Sequence, residues 1–376
     1  MGTKSSVDVV IIGAGIVGLS SAYFLAKNGL AVSIVEKDSI GSHASGFAYG
    51  SLSPLGEAGL SEEIIPELSI GRLGMRLHKQ LAIDLPALTG INTEYRIRPS
   101  MDLTFTDQEV EKAQLNIRWQ KKEKGYKIQW LERDEVLNLL PIVSNRIRGA
   151  VYTEGVADVE PYKLLLGLTQ ACEHMGVTIK HGCVTAVDTS PSRVSKISTL
   201  TEDIFCKHVI LAMGPWTAKS SNWVGTNVPI RPLKGQILRL KSSIDPINCS
   251  IGWNGNYACT KPDGLIWAGT TEEENGFDEN PTPTGRDTIL KSLIRMLPSL
   301  AEARLVQQTA CLRPISQDGR IILGEIPSNK GILIGTGTGR KGILLGPAMG
   351  YILSALICTG TPPIDIKDFS IERFHI

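Results

Sequence analysis

The chain has 376 residues, 42% of them hydrophobic and 20% charged, the balance of an ordinary folded protein with room for two domains. Its 39 lysines and arginines are matched by 38 aspartates and glutamates, so no global field draws it to nucleic acid or an anionic membrane, and a small-molecule partner fits better. No apolar run reaches the roughly 18 residues of a bilayer span, and the start of the chain reads as part of the fold, not as a signal peptide.

The segment VDVVIIGAGIVGLSSAYFLAKNGLAVSIVEKD predicts a strand over Val9 to Ile12, a tight turn, a helix ending near Gly29 and a second strand over Ala31 to Val35. A small-residue loop, GSHASGFAYGSLSP, comes next, then an amphipathic helical stretch from about Ser61 to Leu85 interrupted at Pro66 and Gly74. Residues 90–148 change to short strands and a charged helix near Gln108 to Lys124, an insertion outside the first sheet. In VEPYKLLLGLTQACEHMG, Pro161 marks a helix start and Gly176 follows its end, before a strand in VTIKHG. FCKHVILAMGPW predicts a buried strand over Val209 to Ala212 running to Gly214, as where a sheet meets a ligand crevice. From about Val228 to Val306, alternation in GQILRL, NYACT and LIWAGTT predicts antiparallel strands, closed by a helix around Asp287 to Leu297. The C-terminal GILIGTGTGRKGILLGPAMGYILSALICTG predicts strand, glycine-rich turn and apolar helix.

Gly13, Gly15 and Gly18 form GxGxxG between a strand and a helix, and the acid Glu36 lies 18 residues beyond Gly18. The first glycine makes the turn, the second admits a pyrophosphate to the helix N-terminus, and the third lets helix and strand pack closely. An acid at that distance suits a ribose diol and repels a 2′-phosphate. NAD and FAD share this fingerprint. The late return with GTGTGRKG before a helix favours FAD, because a second helix N-terminus grips the far end of a long cofactor and stabilises charge on a flavin carbonyl. An NAD-linked dehydrogenase would instead place a second mononucleotide half directly after the first, where this chain has its insertion. The seven cysteines, at 172, 183, 206, 249, 259, 311 and 358, are odd in number and lack CxxC spacing, which predicts reduced thiols in the cytoplasm and no metal site.

Taken with ADVEPYKL at 157–164, VILAMGPW at 209–216, LKGQ at 233–236, CLRPISQDGRIILG at 311–324 and GRKGILLGPAMG at 339–350, the chain resembles the FAD-dependent amino acid and amine oxidoreductases of the D-amino-acid oxidase superfamily, and within it the bacterial glycine oxidases. The resemblance implies an α/β, Rossmann-like FAD-binding domain of glutathione-reductase type from residues 1–89, 149–227 and 307–376. A discontinuous α+β substrate domain with an antiparallel sheet would take 90–148 and 228–306. It sets Ile16 and Val17 at the pyrophosphate, Glu36 and Lys37 near the adenosine, Ala44, Ser45, Tyr49, Gly50 and Ser51 along the cofactor, and Val184 at the adenine. Thr338, Gly339, Arg340, Lys341, Gly342, Ile343 and Leu344 would hold the flavin pyrimidine. Ser53, Tyr257, Arg313 and Arg340 would line the substrate site, with Arg313 as a bidentate anchor for a carboxylate.

Glu272 stands where glycine oxidase has methionine, which would turn the site toward a cationic or polar side chain. Cys311 occupies the position of covalent flavin attachment in monomeric sarcosine oxidases, but a buried, unreactive thiol and non-covalent FAD are the expectation. His43 reads as structural, and Trp267 replaces the oxygen-activating lysine of sarcosine oxidase. The implied reaction passes the α-hydrogen of a neutral amine as hydride to flavin N5, with no side-chain base, and the imine hydrolyses to an oxo acid and ammonia or an amine. O2 is one acceptor; a quinone or partner flavoprotein is the alternative, as is a non-catalytic flavoprotein subunit. Substrate identity and assembly into a homo-oligomer carry no local motif.

Overall fold

A computed structural model describes residues 6–55, 66–189 and 194–374. The first strand, Ser6–Ile12, is buried along its C-terminal half and lies at the centre of an eight-stranded sheet. It pairs in parallel with Val32–Glu36 on one side and Asp203–Leu211 on the other. Thr178–His181 extends the sheet beyond Val32–Glu36, and Ile332–Thr336 adds in parallel to Asp203–Leu211, so distant parts of the chain meet in one layer. The fully apolar run Val9 to Ile12 fits a strand covered on both faces.

Helix Ile16–Lys27 packs between that sheet and the C-terminal helix Gly342–Thr359. Including its leading turn, the C-terminal helix is long and apolar enough to cross a membrane, contrary to the reading that no apolar run reaches that length. Here its apolar side chains form the core with Leu19, Tyr23 and Leu73, which explains the composition as that of a helix covered by neighbours on most sides. Gly74 was expected to interrupt the amphipathic stretch, but one helix, Leu68–Thr89, runs through it. A Cβ at Gly74 would come 2.2 Å from the Leu344 carbonyl oxygen, so this glycine permits helix contact and does not break the helix. The expected start of that stretch, residues 61–65, lies outside the described residues.

The second sheet also has eight strands and is largely antiparallel, in the order Arg304–Ser316, Ile230–Lys241, Ile266–Gly269, Asn256–Thr260, Ser250–Trp253, Ser100–Thr104, Gly149–Glu154, Lys127–Glu132. Helices Asp107–Gln120 and Pro283–Met296 flank it. The latter begins four residues before the expected Asp287 because Thr282 accepts from the Gly285 N–H and Pro283 occupies the first helical turn.

Sheet membership moves two expected boundaries. Gly149–Glu154, assigned from sequence to the cofactor domain, hydrogen-bonds Ser100–Thr104 and Lys127–Glu132. Arg304–Ser316, divided by the expected boundary at 307, pairs along its length with Ile230–Lys241. Alternation tells that a segment is a strand but not which sheet receives it. Both strands thus belong to the second sheet.

Candidate active site

The glycine turn is held by contacts that leave no room for side chains. Gly13 has φ +105°, and a Cβ there would lie 2.5 Å from the Ala212 carbonyl oxygen; one at Gly18 would lie 1.9 Å from that of Gly13. Glu36 closes the turn from the next strand, its carboxylate accepting from the Ala14 N–H at 2.7 Å and the Asp38 N–H at 2.9 Å. Ser45 Oγ accepts from the Ile16 N–H at 3.1 Å, so a loop hydroxyl stands at the helix N-terminus where an anion is stabilised.

From this turn a single cavity of about 340 Å³ extends to the start of the C-terminal helix. Every residue that the sequence placed at the cofactor lines it except Gly18, whose part is packing. Glu36, Lys37 and Val184 stand toward one end; Thr338 through Leu344 bring the second helix N-terminus to the wall. Lys37 Nζ sits 3.7 Å above the Trp216 ring and 2.9 Å from an Asp38 carboxylate oxygen. His43, also on the cavity wall, bridges Asp38 at 2.8 Å and Glu279 at 3.1 Å.

Ser53, Tyr257, Arg313 and Arg340 line the same cavity. Arg313 is 9% exposed; its Nη1 donates to the Thr271 carbonyl at 3.0 Å and Nη2 to Thr270 Oγ1 at 2.6 Å. Both partners are neutral, and among the described residues no carboxylate pairs with it. Tyr257 stacks on Tyr49 with centroids 3.9 Å apart, and Tyr49 Oη is 3.0 Å from Ser250 Oγ. Burial, with Cys259 as a lesser cause, pushes the Tyr49 phenol well above its ordinary value, so it stays a neutral hydrogen-bonding group.

Glu272 is a correction. It does not line the cavity; its side chain is 49% exposed and pairs with Arg340 Nη1 at 3.3 Å, while Arg340 Nη2 donates to the Gly255 carbonyl. It lies in the loop three residues beyond the end of Ile266–Gly269, outside any strand register. Cys311 lines the cavity, but burial raises its thiol pKa and keeps it protonated. Trp267 is outside the lining, its Nε1 donating to Asp263 at 2.9 Å.

Sequence reasoning named Tyr257 but passed over its wall neighbours Asp102, Gly252 and Ile237. Asp102, Gly252, Tyr257, Gly269 and Ile237 form one cross-strand row, in which glycines alternate with larger side chains. A Cβ at Gly252 would come 2.3 Å from Asp102 Oδ1 and one at Gly269 2.7 Å from Tyr257 Oη, so each glycine is a trough in which its neighbour lies. Spacing of 135 residues from Asp102 to Ile237 explains why no local pattern reveals the row. Among the described residues, no group of three or more His, Cys, Asp or Glu is placed to hold a metal ion.

The model of the DAO family, FAD dependent oxidoreductase, matches residues 8–356. The chain belongs to this family. It is 28% identical over 372 residues to glycine oxidase from Bacillus subtilis (strain 168), covering 98% of each chain. The crystal structure of glycine oxidase from Geobacillus kaustophilus superposes with TM-score 0.93 at 26% identity, covering 99% of both chains. That of iminodiacetate oxidase from Chelativorans sp. BNC1 gives TM-score 0.85 at 25% identity, covering 96% of this chain and 98% of that one. FAD is thus the cofactor, and the residues present fit it: a glycine turn closed to side chains, two helix N-termini and a continuous cavity between them.

Proposed function

We propose that this protein oxidises a small amino acid or secondary amine acid at the carbon bearing nitrogen. The observation that carries this reading is Arg313, a buried guanidinium on the cavity wall whose hydrogen-bond partners are all neutral. A planar cation so placed favours a carboxylate, which it can bind through parallel hydrogen bonds. When bound, FAD supplies the two-electron acceptor for hydride. The chain's own part is to orient and desolvate: Arg313 fixes the carboxylate, Tyr257 presents its hydroxyl along the same sheet face, and Tyr49, Ile237 and Met213 exclude water. No side-chain base is required, since the substrate reacts as the neutral amine, and the released imine hydrolyses in water to an oxo acid with ammonia or a primary amine.

O2 as acceptor makes the protein an oxidase. Trp267, buried outside the cavity lining, supports neither acceptor, and peroxide yield measured against dye reduction separates an oxidase from a dehydrogenase serving a quinone or partner flavoprotein. All seven cysteines are free thiols, from which we infer a reducing compartment, the cytoplasm. The deciding experiment is anaerobic bleaching of the flavin by glycine, sarcosine, proline and D- and L-amino acids. Bleaching by at least one, much slowed but still measurable with its decarboxylated analogue, is expected; bleaching by none would favour a non-catalytic flavoprotein subunit.

A further inference from the structure

Beside the substrate end of the cavity lies a second void of about 20 Å³, walled by Arg98, Asp158, Tyr49 and four serines, among them Ser100 and Ser250. Its five hydroxyl residues also line the main cavity, so it is a side chamber of that cavity. The size is about that of one water-sized sphere.

The charge around this chamber does not balance. Arg96 Nε donates to Asp158 Oδ1 at 2.7 Å, Lys261 Nζ to Oδ2 at 2.8 Å, and Arg98 Nε lies 3.2 Å from Oδ2. The side chains of Arg98, Asp158 and Lys261 are 4%, 4% and 1% exposed, while Arg96 is 33% exposed and reaches solvent, so the buried set is two cations on one carboxylate. Three cations in all share that carboxylate, and among the described residues no second carboxylate pairs with any of them. The remaining partners are dipoles and a ring face: Arg98 donates to the Ile247 and Thr260 carbonyls at 2.8 and 2.7 Å, and Lys261 Nζ stands 4.7 Å from the Tyr49 centroid. These solvate the cations without cancelling them, and uncompensated buried charge is strongly unfavourable. Arg98 Nε, moreover, is buried with no hydrogen-bond partner.

We propose that the side chamber binds a monatomic anion of chloride size. Both Asp158 oxygens already accept from cations, which leaves net positive potential at the wall, and the serine hydroxyls can turn their protons inward to donate. A cation is repelled by the same potential. A polyatomic anion is too large for the void, and water meets the donors but leaves the charge.

The test uses holoenzyme exchanged into halide-free gluconate buffer and titrated with sodium chloride, bromide or sulfate at matched ionic strength, with crystals grown in bromide. The expected result is a saturable rise in melting temperature of about 2–4 °C with either halide over sulfate, and a bromide anomalous peak beside Arg98. Arg98→Met risks misfolding, so Ser100→Val, which fills the chamber and leaves the ion cluster intact, is the second variant; it removes both signals. Coincident halide and sulfate curves, a non-anomalous water in the chamber, or a bromide peak only at Arg313 would each overturn the proposal.

Discussion

The guanidinium of Arg313 covers the α-carbon of Gly235: a Cβ at that position would come 2.1 Å from Nη2, 2.2 Å from Cζ and 2.3 Å from Nη1. The two residues sit on paired strands, where Gly235 faces Cys311 and Leu233 faces Arg313. Gly235→Ala therefore displaces the proposed carboxylate anchor while leaving its charge in place. Steady-state kinetics should show kcat/KM reduced on the order of 100-fold for the best substrate, from misplacement alone. An alanine variant with native kinetics would show that the guanidinium position is unimportant.

Removing the anchor gives a different pattern. Arg313→Met should raise KM for amino acids sharply, with roughly 2–5 kcal/mol lost from carboxylate binding. Turnover of amines without a carboxylate should change little. Equal losses on both substrate types would assign Arg313 a role in the fold.

Glu272 tests the substrate side chain. Because its pair with Arg340 is half exposed, Glu272→Gln should alter KM by less than about fivefold, the range of a screened surface ion pair. It should not shift preference between glycine and basic D-amino acids; a specific loss of the basic ones would return Glu272 to the site.

Acid precipitation reads the flavin linkage. With Cys311 buried and its thiol protonated, all yellow colour is expected in the supernatant. Colour retained in the pellet, and lost in Cys311→Ser, would establish a covalent bond.

His78 should confer acid sensitivity on the cofactor domain. Its Nε2–H donates to the Ile343 carbonyl at 2.7 Å, at the start of the C-terminal helix, and burial pulls its pKa from 6.5 to about 4. Between those values the unfolded chain takes up a proton that the folded chain refuses. Its stabilising share is thus fully present above pH 6.5 and falls progressively as pH drops toward 4, by on the order of 3 kcal/mol. The wild-type melting temperature should fall more steeply across that window than that of His78→Gln, whose amide can keep the hydrogen bond. Parallel curves would remove His78 as the cause.

Local sequence carried much of this. The run Val9 to Ile12, the three glycines and Glu36 announced a nucleotide turn because a strand, a turn and a helix N-terminus are specified by neighbours a few residues apart. Pro161 and Gly176 bounded their helix for the same reason. Gly74 and the strand at Gly149–Glu154 were misread locally because what decides them is another element: the Leu344 carbonyl in one case, sheet partners some 20 to 50 residues away in the other. The motifs named Arg313 and Arg340, both of which line the cavity, but they did not show the exposure of Glu272 or the Asp102 to Ile237 row. Sequence by itself determined the elements and the cofactor turn; only tertiary structure decided which side chains share a cavity wall, since strand pairing joins residues with no fixed spacing along the chain.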